Sequence, residues 1–250
     1  MTATETLTVY WAPSEVFASE NVFTLLGSEP KSVMSSIQKR RNTSKEPKPS
    51  YWAPTDYQSC TALHTLTHNL FYVTAPLDTT LELDNEGNIL SVTPDSHRIF
   101  FGERVSSING AFSVDFFKSY FLFCEESLDV QITPPYMHEN NQATSAFISS
   151  VKFDISKWFR PFVFIYQFWP NKKTLEFKAG EPIAYLHFNT DKEVVFKQFK
   201  LTEEILSIAH ACLEHKKMVS FEPMEKLYER FTTTNMYPRL LTEIKNNLIS

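Results

Sequence analysis

The chain has 250 residues, 29 of them acidic and 24 basic, for a formal net charge of −5. At 42% hydrophobic and 21% charged it has the composition of a folded chain, and wholesale disorder is excluded. Five glycines stand against 22 phenylalanines. No G-x-G-x-x-G or G-x-x-x-x-G-K-[ST] occurs, which excludes Rossmann and P-loop phosphate cradles.

The chain opens on an alternation: Leu7, Val9 and Trp11 fall on one side, Thr6, Thr8 and Tyr10 on the other. Period two predicts a half-buried strand. Pro30 then starts a helix over 31–41, striped by Val33, Met34 and Ile37. The basic run Lys39, Arg40, Arg41, followed by Lys45 and Lys48, reads as the positive end of that helix and its connector. In an acidic chain it does not suggest a nucleic-acid surface. Leu63, Leu66, Leu70 and Phe71 predict a short helix leading into a strand. Residues 84–104 read as a hairpin turning at Asn85-Glu86-Gly87-Asn88, then a loop.

The middle of the chain is strongly β. Strands are predicted over 111–123, 128–132, 145–153, 162–169, 174–178, 183–188 and 193–199, broken by Pro134-Pro135, His138 to Asn141, Pro170-Asn171 and Ala179-Gly180. After residue 200 the period becomes 3.6. Thr202 caps a helix striped by Ile205, Ile208, Ala209, Cys212 and Leu213. A second helix carries Met224, Leu227, Tyr228 and Phe231, and a third begins at Pro238 with Leu240, Leu241, Ile244 and Leu248. The expected fold is mainly β (α+β). It comprises an N-terminal strand, helix and linker over 1–50, a jelly-roll or β-clip-like sandwich or barrel over 51–200, and helices over 201–250 packing on that core.

Chemical templates fit poorly. Of the seven histidines, none begins an H-x-[DE] pattern, and His64 and His68 share a helical face without the glutamate of H-E-x-x-H. Cys60, Cys124 and Cys212 form no C-x-x-C pair, so neither a disulfide framework nor a zinc knuckle is expected. No metal, no cofactor and no catalytic residue is assigned. The aromatic strands carry no interleaved basic residues and read as core, so no nucleic-acid partner is expected. The polar loop Pro134-Pro135-Tyr136-Met137-His138-Glu139-Asn140-Asn141 lies between strands, where recognition residues are commonly placed. Tyr136, His138, Glu139 and Asn140 are therefore candidate binding residues. Asp154, a carboxylate among aromatics, is a fifth, with a satisfied turn residue as its plainer reading. The N-terminus shows no leader pattern, and the longest apolar run, Trp158 to Trp169, is shorter than the roughly 20 residues of a membrane span.

The order of segments resembles an uncharacterised family of tailed-phage proteins with bacterial relatives. Tyr51-Trp52, Cys60-Thr61-Ala62-Leu63, Leu70-Phe71-Tyr72, Asp129 to Pro135, Phe153-Asp154, Trp158 to Trp169 and Phe177 to Ile183 carry the likeness, over roughly residues 50–200. In addition, Lys178-Ala179-Gly180-Glu181-Pro182-Ile183-Ala184 is similar to the final strand–turn–strand motif of dUTPases and dCTP deaminases, without their Gly-Arg-Ser-Ser element. The resemblance implies a phage-encoded, non-enzymatic binding or virion assembly protein, acting in the host cytoplasm or in the virion. Its partner would be another protein or a second copy of the chain. The alternatives are a small-molecule- or nucleotide-binding module or enzyme of dUTPase-like or cupin-like descent, and a host-directed inhibitor that binds a bacterial protein.

Overall fold

A computed structural model describes residues 5–15, 25–26, 28–37, 60–108, 111–116, 120–219 and 221–249. The fold is mainly β, built of several sheets in a sandwich-like arrangement rather than a closed barrel, with a helical region at the C-terminal end.

The first strand, β1 (Thr6–Glu15), occupies the middle of its sheet. It runs parallel to β16 (Glu193–Gln198) on one side and antiparallel to β9 (Tyr120–Cys124) on the other. Leu7, Val9 and Trp11 face the main apolar cluster, as the alternation predicts. The opposite face is not wet, however. Tyr10 and Ala12 are buried with Phe121 and Phe123 of β9 in a second cluster, because the C-terminal helices lie over that face.

Those helices follow their apolar stripes. In α3 (Glu203–Met218) the Thr202 hydroxyl accepts the Ile205 N–H at 3.2 Å, and Ile205, Ile208, Ala209 and Cys212 are buried. Leu227 and Phe231 of α4 (Met224–Thr233) and Leu240 and Ile244 of α5 (Met236–Asn246) complete the cluster. The third helix thus begins two residues before Pro238, which occupies its first turn, where a missing N–H costs nothing. Each large aliphatic or aromatic side chain buried there is worth roughly 1.5–3 kcal/mol. Glu125, just past β9, fastens the layer: it accepts from Tyr10 Oη (2.7 Å) and Lys245 Nζ (2.8 Å), and its carbonyl accepts from Tyr237 Oη (3.0 Å).

The remaining strands enclose the main cluster. A five-stranded sheet runs in the order β12 (Val151–Asp154), β10 (Asp129–Thr133), β15 (Pro182–Phe188), β4 (Leu70–Thr74), β3 (Lys31–Ser32). A second pairs β11 (Ala146–Ile148), β13 (Phe164–Phe168), β8 (Ala111–Phe116) and β7 (Phe101–Ile108). A third joins β14 (Thr174–Phe177), β5 (Thr79–Leu83) and β6 (Ile89–Thr93). Stacked Phe116 and Phe177, with ring centroids 5.0 Å apart, tie the second sheet to the third.

Several expectations change. The run 111–123 is not one strand, since β8 and β9 belong to different sheets, and residues 101–104, expected as loop, open strand β7. The run 145–153 is not one strand: β11 and β12 belong to different sheets, and the chain crosses between them at Ser149-Ser150. The helix expected over 31–41 begins later, because Lys31 and Ser32 pair with β4; residues 33–37 are helical (α1), and 38–41 lie outside the described residues, as do the basic run and Tyr51-Trp52. The β5–β6 turn is as predicted. Asp84 accepts the Glu86 and Asn88 N–H groups, and Gly87 has φ +90°. A side chain at Gly87 would also meet the Phe112 ring at 2.2 Å.

Candidate functional site

β10 ends where Pro134 and Pro135, lacking N–H groups, cannot extend its ladder. The chain then turns tightly, with Tyr136 N–H bonded to the Pro134 carbonyl and His138 N–H to that of Pro135. This delivers His138 onto the outer face of β15, beside Tyr185. The Tyr185 hydroxyl accepts the Met137 N–H (3.0 Å) and lies 2.5 Å from His138 Nδ1. On its other side His138 Nε2 lies 3.0 Å from Ser36 Oγ of α1, and the imidazole packs against the Tyr72 ring at 4.9 Å. His138 is buried, as the anchor of the loop.

The loop continues into a short 3-10 turn, Asn141–Thr144. Asn140 Oδ1 accepts the Ala143 N–H at 2.9 Å, which caps it. Two neighbours pin the turn. Glu181 accepts from Asn141 Nδ2 (3.2 Å), and the Trp169 indole N–H donates to the Ala143 carbonyl (2.9 Å). Glu181 directly follows Gly180, whose φ of +83° lets the β14–β15 connection turn there. The strand–turn–strand segment at Lys178 to Ala184 thereby supports the loop.

Between the loop and β13 lies a cavity of about 470 Å3. Tyr136 and Trp169 stand at its rim, 56% and 43% exposed, and Phe147, Tyr166 and Ile183 are among its apolar lining. Phe147 and Trp169 are in ring contact at 4.6 Å. Burial pushes the Tyr136 hydroxyl above its ordinary pKa. Among the described residues no Lys, Arg, Asp or Glu lines this cavity. Gln142 does, at 2% exposure, and neither its Oε1 nor its Nε2 has a hydrogen-bond partner. A buried amide left unpaired costs roughly 1–3 kcal/mol. The arrangement can hold a ligand by ring stacking and one carboxamide. The Ser36–His138 distance is that of a nucleophile and its base, but Ser36 is not among the residues lining the cavity.

The structure therefore brings Tyr136, His138 and Asn140 together around one cavity. Glu139 is exposed, between His138 and Asn140. Asp154 belongs elsewhere, to the end of β12, where the chain turns. Its carboxylate accepts from Ser127 Oγ (2.6 Å), Leu128 N (3.3 Å), Ser156 N (2.9 Å) and Ser156 Oγ (2.6 Å), and pairs with Lys157 (2.8 Å). Burial alone would raise this carboxyl, but the hydrogen bonds from Lys157, Ser127 and Ser156 outweigh it and hold the pKa at about 2. Asp154 also borders a separate cavity of about 540 Å3 beside α4.

Sequence reasoning passed over Gln142, Tyr185 and Glu181. Gln142 closes a polar run, Asn140-Asn141-Gln142, that reads as solvated loop. Tyr185 was one aromatic among many, although a polar-tipped residue on the middle strand of a sheet is a signal that its hydroxyl has a partner. On α2 (Thr61–Thr67), His64 shares a surface cavity with His68 and with His187 of β15, yet among the described residues no three His, Cys, Asp or Glu side chains converge in a metal-holding group. Comparison of the chain with family models, with curated proteins and with solved structures finds no match.

Proposed function

We propose that this is a non-enzymatic binding protein, phage-encoded as its segment order suggests, and that its ligand enters the cavity under the 134–148 loop. One observation carries the reading: Gln142, among the residues that line an aromatic-walled cavity, is 2% exposed and has no hydrogen-bond partner for its side-chain donor or acceptor. Its volume, about 470 Å3, falls in the range of small-ligand sites. The supports of the loop come from two separate segments, Glu181 and Tyr185 from β15 and the turn before it and Trp169 from the end of β13, so the walls are fixed before a ligand arrives. Preorganisation of this kind serves affinity by lowering the ordering cost of binding. The host cytoplasm or the virion is the location that the resemblance implies. Among the described residues no helix is long and apolar enough to cross a membrane.

A melting-temperature screen against neutral metabolites tests the proposal, run in parallel on the wild-type chain and on Gln142→Leu. A ligand at a hundred times its Kd stabilises by about 2.7 kcal/mol. The expected result is a rise in Tm for at least one compound that the variant loses. Equal shifts in both proteins would move the binding site away from this cavity, and no shift for any compound would reject the reading.

A further inference from the structure

Resting on that reading, we infer that the ligand is a small, neutral, planar cyclic amide, and that Gln142 reads its amide edge. A carboxamide offers one donor and one acceptor side by side in a plane. The group that answers both at once carries an acceptor and a donor on the same edge. A trans peptide bond does not qualify, since its N–H and C=O point to opposite sides. A ring amide does, because the ring forces the cis arrangement. The aromatic walls make the same demand: Tyr136, Phe147 and Trp169 present ring surfaces, against which a flat heterocycle loses least on leaving water.

The charge pattern narrows the class further. With no Lys or Arg among the described lining of the cavity, no fixed positive charge there neutralises a phosphate or carboxylate. The Glu181 carboxylate behind Asn141 adds a negative charge on that side, which repels anions. A ring amide without charged substituents is the fit. Such rings come from two sources, the oxo-substituted nucleobases and simple lactams or imides, and both present the same edge.

Isothermal titration of the full chain separates these possibilities. The probes are uracil and hypoxanthine for the first source, and 2-pyridone and succinimide for the second. 1,3-Dimethyluracil and N-methylsuccinimide, which have no ring N–H, serve as edge-blocked controls, and uridine 5′-monophosphate tests charge. We expect at least one unblocked ring to bind, its methylated counterpart to bind roughly 10- to 100-fold more weakly, and the nucleotide to bind no better than the base. Gln142→Met, which keeps the volume and removes both polar atoms, should lose affinity by the same factor. The ligand-side control needs no variant, so a misfolded mutant does not blunt the test. Equal binding of blocked and unblocked rings would overturn the edge reading, and a preference for the nucleotide would overturn neutrality. If no ring amide binds while another compound stabilises the wild-type chain through Gln142, this inference falls and the binding reading stands. If nothing binds at all, both fall.

Discussion

Asp154 and Gln142 are both polar, both almost wholly removed from water, and both set in turns of the β core, yet their surroundings are opposite. The Asp154 carboxylate has a neighbour for nearly every lone pair: two hydroxyls, two backbone N–H groups and an ammonium. Gln142 has no hydrogen-bond partner for either side-chain atom. A buried polar group that is fully paired tightens the fold around it, and one that is unpaired weakens the fold unless something else pairs it. The first pattern belongs to architecture. The second is the pattern that the proposed binding reading requires of a cavity before its ligand enters.

The contrast can be broken most directly at Asp154. Asp154→Ala strands four donors and the Lys157 charge, and should cost about 3 kcal/mol in urea denaturation, given roughly 1.5–3 kcal/mol for hydrogen bonds to a charged group and solvent screening of the half-exposed lysine. A loss below about 1 kcal/mol would mean that the network is slack. Next in size is Tyr185→Phe, which removes the hydroxyl shared by Met137 N–H and His138. About 2 kcal/mol is expected, with the loop freed as well; faster amide exchange at residues 136–143 would report it. Gln142→Leu should move the other way. Replacing an unpaired buried amide with a hydrocarbon of similar size is expected to stabilise the chain by about 1 kcal/mol, and a clear loss of stability would show that the carboxamide has a structural partner after all.

The last effect is invisible at neutral pH. Asp154 has its folded pKa at about 2, below the ordinary 3.8, so its contribution is fully present above pH 4 and is lost as pH falls through 2. Stability measured between pH 4 and pH 2 should therefore drop less steeply in Asp154→Asn than in the wild-type chain. Parallel slopes would contradict the assignment.

These differences bear on what could be read from the residues alone. The Thr202 cap, the stripes of α3, α4 and α5, the turn at Gly87 and the break at Pro134-Pro135 are local, fixed by a few neighbours, and were legible. So was 136–140 as a loop between strands. Burial of Tyr10 and Ala12 was not legible, because the residues covering them come some 200 positions later in the chain. The division of 145–153 between two sheets depends on which partners each half finds, not on its own β propensity. Gln142 escaped for a related reason: whether a polar side chain in a polar run is wet or sealed is decided by segments distant in sequence, such as the one that brings the Trp169 indole N–H to the neighbouring Ala143 carbonyl. Asp154 was legible as a turn residue, and its plainer reading is the one its hydrogen bonds support.

The division into two apolar clusters has a practical consequence. Cys124 sits in the cluster between the sheets and Cys212 in the one beneath the helices, both fully covered. Burial pushes each thiol pKa to about 11, so neither reacts until its surroundings open. Cys60, by contrast, is exposed and labels at once. Slow modification of the other two in native buffer then times two separate openings, one of the sandwich and one of the helical cover. The chain thus carries an internal chronometer for asking which half of the molecule lets go first.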